Sequence, residues 1–180
     1  MADRLLFLTT ADTEILAAAR AADLLPSGFP EVRCINPTKL EESRTFFEET
    51  LPGTGAVMVR LLGGRRAWSE GLEELRRRCD SLGVPLLAFG GEAEPDAELA
   101  ALSTAPSGIV AEGFEYLQHG GVHNTANLFR FVATHFSSKD TASNRRAAYR
   151  RSASTTRSSP RIPRSTICSS CTTRVGRRSE

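Results

Sequence analysis

Four short polar clusters could form a binding site, because each directly follows an apolar run. They are residues 9–12, with Thr10 and Asp12; residues 36–37, with Asn36; residues 63–66, which read Gly63, Gly64, Arg65 and Arg66; and residues 90–92, which read Gly90, Gly91 and Glu92. Paired guanidinium groups hold carboxylates through bidentate hydrogen bonds. The clusters therefore indicate a site for an anionic or polar ligand. The alternative is that they are ordinary helix caps and turn glycines.

No motif for nucleotide binding or nucleophilic catalysis accompanies these clusters. The glycine pairs lack the spacing of a dinucleotide fingerprint or a P-loop, and no serine sits in a Gly-x-Ser-x-Gly elbow. His119 and His123 flank a Gly-Gly pair, but without a further ligand nearby we interpret them as an exposed loop pair. Cys168 and Cys171 form a lone Cys-x-x-Cys, which lacks the second ligand pair of a zinc site. We predict no catalytic residue and no metal ligand.

The third cluster lies within the stretch that organises the chain. Residues 56–62 are apolar apart from Arg60, which is typical of a strand covered on both faces. After the glycines and arginines, apolar residues recur at steps of four and three, at Trp68, Leu72, Leu75, Cys79 and Leu82. That spacing predicts one face of an amphipathic helix. Arg65 and Arg66 are therefore predicted at the carboxyl end of a strand.

The rest of residues 1–136 repeats this alternation of strands and helices. Further strands are predicted at residues 5–8, 32–35 and 84–89, a helix starting at residues 36–38, and a last helix capped by Asn124. The pattern predicts one α/β domain: an open, mostly parallel sheet of at least four strands with helices on both faces, Rossmann-like or flavodoxin-like. The carboxyl ends of such strands share one edge, where ligands bind.

The composition changes abruptly near residue 137. Residues 1–136 carry 12 Lys or Arg against 19 Asp or Glu, a net charge of −7, whereas residues 137–180 carry 11 against 2, a net charge of +9. The second part has no Leu, Met, Phe or Trp, so we predict a disordered tail. Its arginines could attract nucleic-acid phosphates, although Tyr149 is its only aromatic residue for base stacking. Alternatively, the tail is the product of translating a GC-rich gene in the wrong reading frame.

Targeting signals are not evident in the sequence. No stretch approaches the roughly 20 apolar residues of a membrane span, and the N-terminal apolar run is short and followed by acidic residues. The four cysteines, at positions 34, 79, 168 and 171, do not have the spacing of a disulfide framework. We expect a cytoplasmic protein that does not contact a membrane.

Residues 1 to about 136 resemble the N-terminal end of the large subunit of aerobic cobaltochelatase, the CobN type, which is related to the magnesium chelatase large subunit. The blocks that carry the resemblance are residues 5–12 (LLFLTTAD), 36–37 (NP), 59–68 (VRLLGGRRAW), 90–92 (GGE), 95–99 (PDAEL), 101–104 (ALST) and 127–131 (NLFRF). The most specific part of the resemblance is the Arg-Leu-Leu-Gly-Gly-Arg-Arg-Ala-Trp block, followed at the right distance by the blocks at residues 90–92 and 95–99.

The resemblance implies ATP-dependent insertion of Co(II) into hydrogenobyrinic acid a,c-diamide during aerobic cobalamin biosynthesis. It implies the corrinoid as substrate, and as partners the remaining domains of the large subunit and an AAA+ motor. The intact complex would use ATP and Mg, while this segment would bind no cofactor. The metal-inserting residues would lie outside this chain, so we expect an incomplete, truncated or frameshifted N-terminal module, inactive alone. The alternative is a stand-alone α/β binding module whose basic tail contacts nucleic acid, although nucleic acid is not the expected partner.

Overall fold

Four strands and six helices make up the part of the chain that the structure, a computed structural model, describes: residues 4–40 and 42–137. In order they are β1 (Arg4–Thr9), α1 (Asp12–Ala22), β2 (Glu31–Ile35), a 3₁₀ turn (Pro37–Lys39), α2 (Ser43–Thr50), β3 (Thr54–Leu61), a 3₁₀ helix (Gly64–Trp68), α3 (Ser69–Leu82), β4 (Leu86–Gly90), α4 (Ala97–Leu102), α5 (Ser107–His119) and α6 (Gly121–Phe136).

The strands form one sheet in the order β2-β1-β3-β4, and every pair is parallel. This confirms the predicted α/β class with four parallel strands. The order corresponds to the first four strands of the flavodoxin-like arrangement, in which the strand order reverses between β1 and β3. Every residue of β3 is buried, as the apolar run predicted.

Helices cover both faces of the sheet, so the domain has three layers. Alternate side chains of a strand point to opposite faces. On one face, Leu5, Phe7 and Met58 belong to a core cluster with residues of α1, α5 and α6. On the other face, Leu6 and Val59 belong to a second cluster with residues of α2, α3 and α4. These two cores fix the strand ends at which the polar clusters lie.

Four local predictions were wrong. His119 and His123 are exposed, as predicted, but they lie in α5 and α6 rather than in a loop. The helix predicted from residues 36–38 is a 3₁₀ turn, because Leu40 is extended and α2 begins only at Ser43. Asn124 does not cap the last helix: α6 begins at Gly121, and the Asn124 amide donates a hydrogen bond to the Gly120 carbonyl. Leu82 was predicted on the buried face of α3 but is 52% exposed, at the last residue of that helix.

The tail predicted to be disordered, with Cys168 and Cys171, lies outside the described residues apart from Ser137. Within residues 4–40 and 42–137, no helix has the length and apolar character needed to cross a membrane.

Candidate functional site

The four predicted clusters follow the carboxyl ends of four adjacent parallel strands, so the sheet brings them to one edge. Contacts join each cluster to its neighbour along this edge. The order of the clusters follows the strand order: the Asn36 cluster after β2, the Thr10 and Asp12 cluster after β1, the arginine loop after β3, and the Gly90 cluster after β4.

Asp12 and Asn36 tie the end of β1 to the end of β2. The Asn36 amide nitrogen donates to Asp12 Oδ1 at 3.0 Å, and Lys39 Nζ lies 2.9 Å from Asp12 Oδ2. Asn36 Oδ1 accepts from both the amide and the hydroxyl of Thr38. Hydrogen bonds from Asn36 and Lys39 lower the pKa of Asp12. Both predicted ligand side chains therefore have partners within the protein and hold the two loops together.

Thr10 ties the end of β1 to the end of β3. Its hydroxyl oxygen accepts a hydrogen bond from the Leu62 amide at 2.9 Å, and its own amide donates to the Arg60 carbonyl at 3.2 Å. Thr10 therefore holds the ends of β1 and β3 together at the point where the strand order reverses.

A largely buried ion pair at this reversal point was not predicted as part of the site. Arg60 Nη1 lies 2.6 Å from Glu14 Oε1 and donates to the Leu117 carbonyl at 3.1 Å. The Thr9 hydroxyl donates to the other Glu14 oxygen at 2.6 Å. The crevice that binds ligands in open α/β sheets is therefore occupied here by the protein's own charges. The only signal in the sequence was Arg60 itself, the one charge in an apolar run.

Cys34 on β2 lies near the same carboxylate. Burial, with a smaller contribution from the Glu14 charge, raises the pKa of the Cys34 thiol to about 12. Burial raises the pKa of Cys79 to about 12 as well, and neither residue forms a disulfide. Both thiols stay protonated at neutral pH, as expected for core residues. Among the described residues, no group of three or more His, Cys, Asp or Glu side chains is arranged to hold a metal.

The two glycine pairs let the loops after β3 and β4 pack closely. Gly63 and Gly64 adopt φ values of 90° and 69°, in the left-handed region that glycine tolerates best. A Cβ on Gly91 would lie 2.7 Å from Leu62 Cγ, and one on Gly90 would lie 2.9 Å from Asp96 Cβ. Side chains on Gly90 and Gly91 would separate the loops, so these two candidates shape the edge through their small size, whereas Gly63 and Gly64 shape it through their backbone conformation.

Arg65 and Arg66 differ in their surroundings. Arg65 Nη2 lies 2.5 Å from Glu73 Oε1, on the second turn of α3. The Asp96 carboxylate, which follows the Gly90 cluster, caps α4. The Glu92 carbonyl accepts from Gln118. Arg66 is exposed and has no hydrogen bond or ion pair with any described residue. It is the arginine available to a ligand.

Arg66 lines an open groove of about 490 Å³ between the first turns of α2 and α3. Arg44 and Trp68 line the same groove. Trp68 is only half-buried: its ring stacks edge-on against Phe47 of α2, with centroids 6.0 Å apart, and lies over Gly71. The prediction that Trp68 belongs to the buried helical face thus holds only in part. The groove offers a cationic side chain beside an aromatic ring and lies on the α2 and α3 side of the edge.

Two comparisons place the chain among known proteins. It is 30% identical over 141 residues to the aerobic cobaltochelatase subunit CobN of Pseudomonas aeruginosa, a match that covers 77% of this chain and 11% of that protein. Among solved structures, the catalytic subunit of cobaltochelatase from Mycobacterium tuberculosis superposes with a TM-score of 0.61 at 31% identity, covering 73% of this chain and 10% of that one. No family model matches the sequence. The chain thus spans about a tenth of the length of both relatives.

Proposed function

This chain is related to an N-terminal segment of CobN-type aerobic cobaltochelatase subunits, and we propose that it serves cobalt chelation in cobalamin biosynthesis as one module of such a subunit. The observation that supports this most strongly is the agreement of the two comparisons: sequence and fold both match subunits of the same enzyme over about three quarters of the chain. The resemblance identified from the Arg60–Trp68 region and the blocks after it is thereby confirmed.

The reaction we propose for the whole subunit is ATP-dependent insertion of Co(II), as a substrate, into hydrogenobyrinic acid a,c-diamide. The remaining domains of the subunit and an AAA+ motor would supply the metal-inserting residues and the hydrolysis of ATP with Mg. Under this proposal, the module itself contributes no catalytic residue. Its role is to bind or orient the corrinoid, or to hold the neighbouring domains.

Arg66 is the residue we propose for contact with the corrinoid. The corrinoid carries peripheral carboxylates, which a guanidinium binds through two parallel hydrogen bonds. Arg66 is exposed and has no partner among the described residues, and it lies beside Trp68 on the rim of an open groove. Arg65 is already paired with Glu73, so its part is to steady the loop.

The test uses a full-length relative that carries the same Arg-Arg-Ala-Trp block. We expect the change equivalent to Arg66→Ala to weaken corrinoid binding about tenfold, or about 1.4 kcal/mol, without lowering the melting temperature. The change equivalent to Arg65→Ala is the matched control and should alter affinity much less. Affinity is measured by titrating the corrinoid into each variant. Unchanged affinity in the Arg66 variant would remove this residue from the proposed site.

We also propose that residues 137–180 are translated out of frame. The composition switches within a few residues from a patterned helix to a stretch of Arg, Ser and Thr. Sequencing the locus tests this: another frame after codon 137 should continue as a chelatase-like protein. If no such frame exists, the alternative of a stand-alone module with a nucleic-acid-binding tail gains support.

A further inference from the structure

The outer edge of β4 is only half covered. Leu86 bonds outward through both backbone groups: its amide donates to Thr104 Oγ1 at 2.7 Å, and its carbonyl accepts from the Thr104 and Ala105 amides. The Ala88 amide donates to Ser103 Oγ at 2.9 Å. Residues 103–105 therefore close the first half of this edge.

The second half of the edge is open. Backbone groups of alternate residues in a strand face the same side, so the Ala88 carbonyl and the Gly90 amide also face outward. Within residues 4–40 and 42–137, neither group has a hydrogen-bond partner. Both residues are nevertheless buried. Buried backbone groups are nearly always paired, because leaving one unpaired costs about as much as a lost hydrogen bond.

These two groups line a cavity of about 430 Å³ between α4 and α5. Its floor is apolar and buried, formed by Ala88, Phe89, Val110 and Phe114. Its walls carry small side chains, among them Ala101 and Ala111. An extended peptide adds to a sheet edge through such backbone groups, and two of them lie here above an apolar floor without a partner among the described residues.

The chain leaves α6 beside this edge. Phe136, the last residue of α6, shares a cavity of about 230 Å³ with Val84, Pro85 and Ala105, at the start of β4. A chain that continues from there along the sheet runs parallel to β4. At about 3.3 Å per residue, some four to six residues reach from this point past Leu86 to Gly90. The strand order β2-β1-β3-β4 leaves the fifth position of a flavodoxin-like sheet at this edge.

We infer that the cavity beside β4 binds an extended segment with small apolar side chains as a fifth parallel strand, supplied by the chain that follows the last helix in the longer relatives. The segment donates an amide to the Ala88 carbonyl and accepts from the Gly90 amide. Residues 138–145 of this chain read Ser-Lys-Asp-Thr-Ala-Ser-Asn-Arg, which lack the apolar side chains that the floor requires. The inference does not depend on corrinoid binding.

The test replaces residues 138–145 of the full chain with the eight residues that follow the equivalent of Phe136 in the Pseudomonas aeruginosa relative. Cys168 and Cys171 are changed to Ser, Ala111 to Cys, and each grafted residue to Cys in turn. A disulfide requires Cα atoms within about 7 Å, and side chains of a strand alternate between two faces. We expect oxidation to crosslink every second grafted position, at least fivefold more than the positions between.

Two controls make the outcome decisive. Ala19→Cys on the exposed face of α1 replaces Ala111→Cys and should give no alternation. Ala101→Leu, which narrows the cavity, should reduce the crosslink severalfold while circular dichroism shows a folded domain. Uniform or absent crosslinking in the graft would overturn the inference. So would a crosslink between two copies through Ala111→Cys, which would show that β4 edges pair with each other.

Discussion

At the scale of single residues, the important group is Arg60 rather than the exposed arginines. It brings a positive charge into the core, where Glu14 and the Leu117 carbonyl both contact it. Removing one partner of a buried ion pair leaves the other charge uncompensated, which costs more than the pair contributes. The Arg60–Glu14 pair therefore fixes α1 and the end of α5 to the central strand.

We expect Arg60→Met to lower the free energy of unfolding by about 3 kcal/mol, because it leaves the Glu14 carboxylate without its counter-charge. Adding Glu14→Gln should recover part of this loss, since it removes the uncompensated charge. Arg44→Met breaks an exposed pair with Glu48 and is the control, with an expected cost of at most about 1 kcal/mol. Urea unfolding measures the wild type and all three variants. Equal losses for Arg60→Met and Arg44→Met would show that the buried pair has no special role.

At the scale of secondary structure, α2 and α3 are joined by a chain of charges on their outer surface. Glu74 contacts Arg77 and Arg78 within α3, and Arg78 also contacts Glu48 of α2. Hydrogen bonds from Arg77 and then Arg78 lower the pKa of Glu74 to about 2. Since the groove with Arg66 lies between these two helices, this network helps to set its width.

The Glu74 network should make stability depend on pH in a defined window. The pKa of Glu74 is lower in the folded protein than its ordinary value of 4.5. Its contribution is therefore fully present above about pH 4.5 and is lost as the pH falls through about 2. We expect Glu74→Gln to lower the melting temperature at pH 7, and the difference from wild type to vanish near pH 2. Glu70→Gln, an exposed change in the same helix, is the control. Its difference in melting temperature from wild type should not follow this pH dependence.

At the scale of the whole molecule, the buried members of both core clusters that the structure describes lie within residues 5–133. The sheet, its six covering helices and the carboxyl edge with all ten candidate residues belong to this one domain. The acidic domain and the basic remainder of the chain differ in composition as well as in charge.

A chain that stops after Ser137 should fold and unfold in one cooperative step. We expect its melting temperature to change by less than the roughly 4 °C that a loss of 1 kcal/mol produces in a domain of this size. Differential scanning calorimetry of the shortened and full chains measures this. A larger decrease would show that the residues beyond 137 contribute to the core.

The sequence predicted the sheet well, because each buried parallel strand is an apolar run that can be recognised without knowing which strands it pairs with. Residues 56–62 and 84–89 identified β3 and β4 in this way, and the glycine pairs marked their ends. Pairings between distant residues could not be predicted. Arg60 meets Glu14 only because β1 and β3 are adjacent, and the partner of Arg65 depends on the 3₁₀ helix that turns it towards Glu73.

The position of β1 between β2 and β3 has a consequence for synthesis on the ribosome. β1 emerges first, and its pairing with β2 requires only residues up to Ile35. Its other edge stays open until β3 is complete at Leu61. Contacts between residues this far apart in sequence form slowly, and unpaired strand edges promote aggregation. The nascent chain therefore passes through a vulnerable interval of about 25 residues, during which a chaperone that shields apolar strands would raise the yield of folded protein.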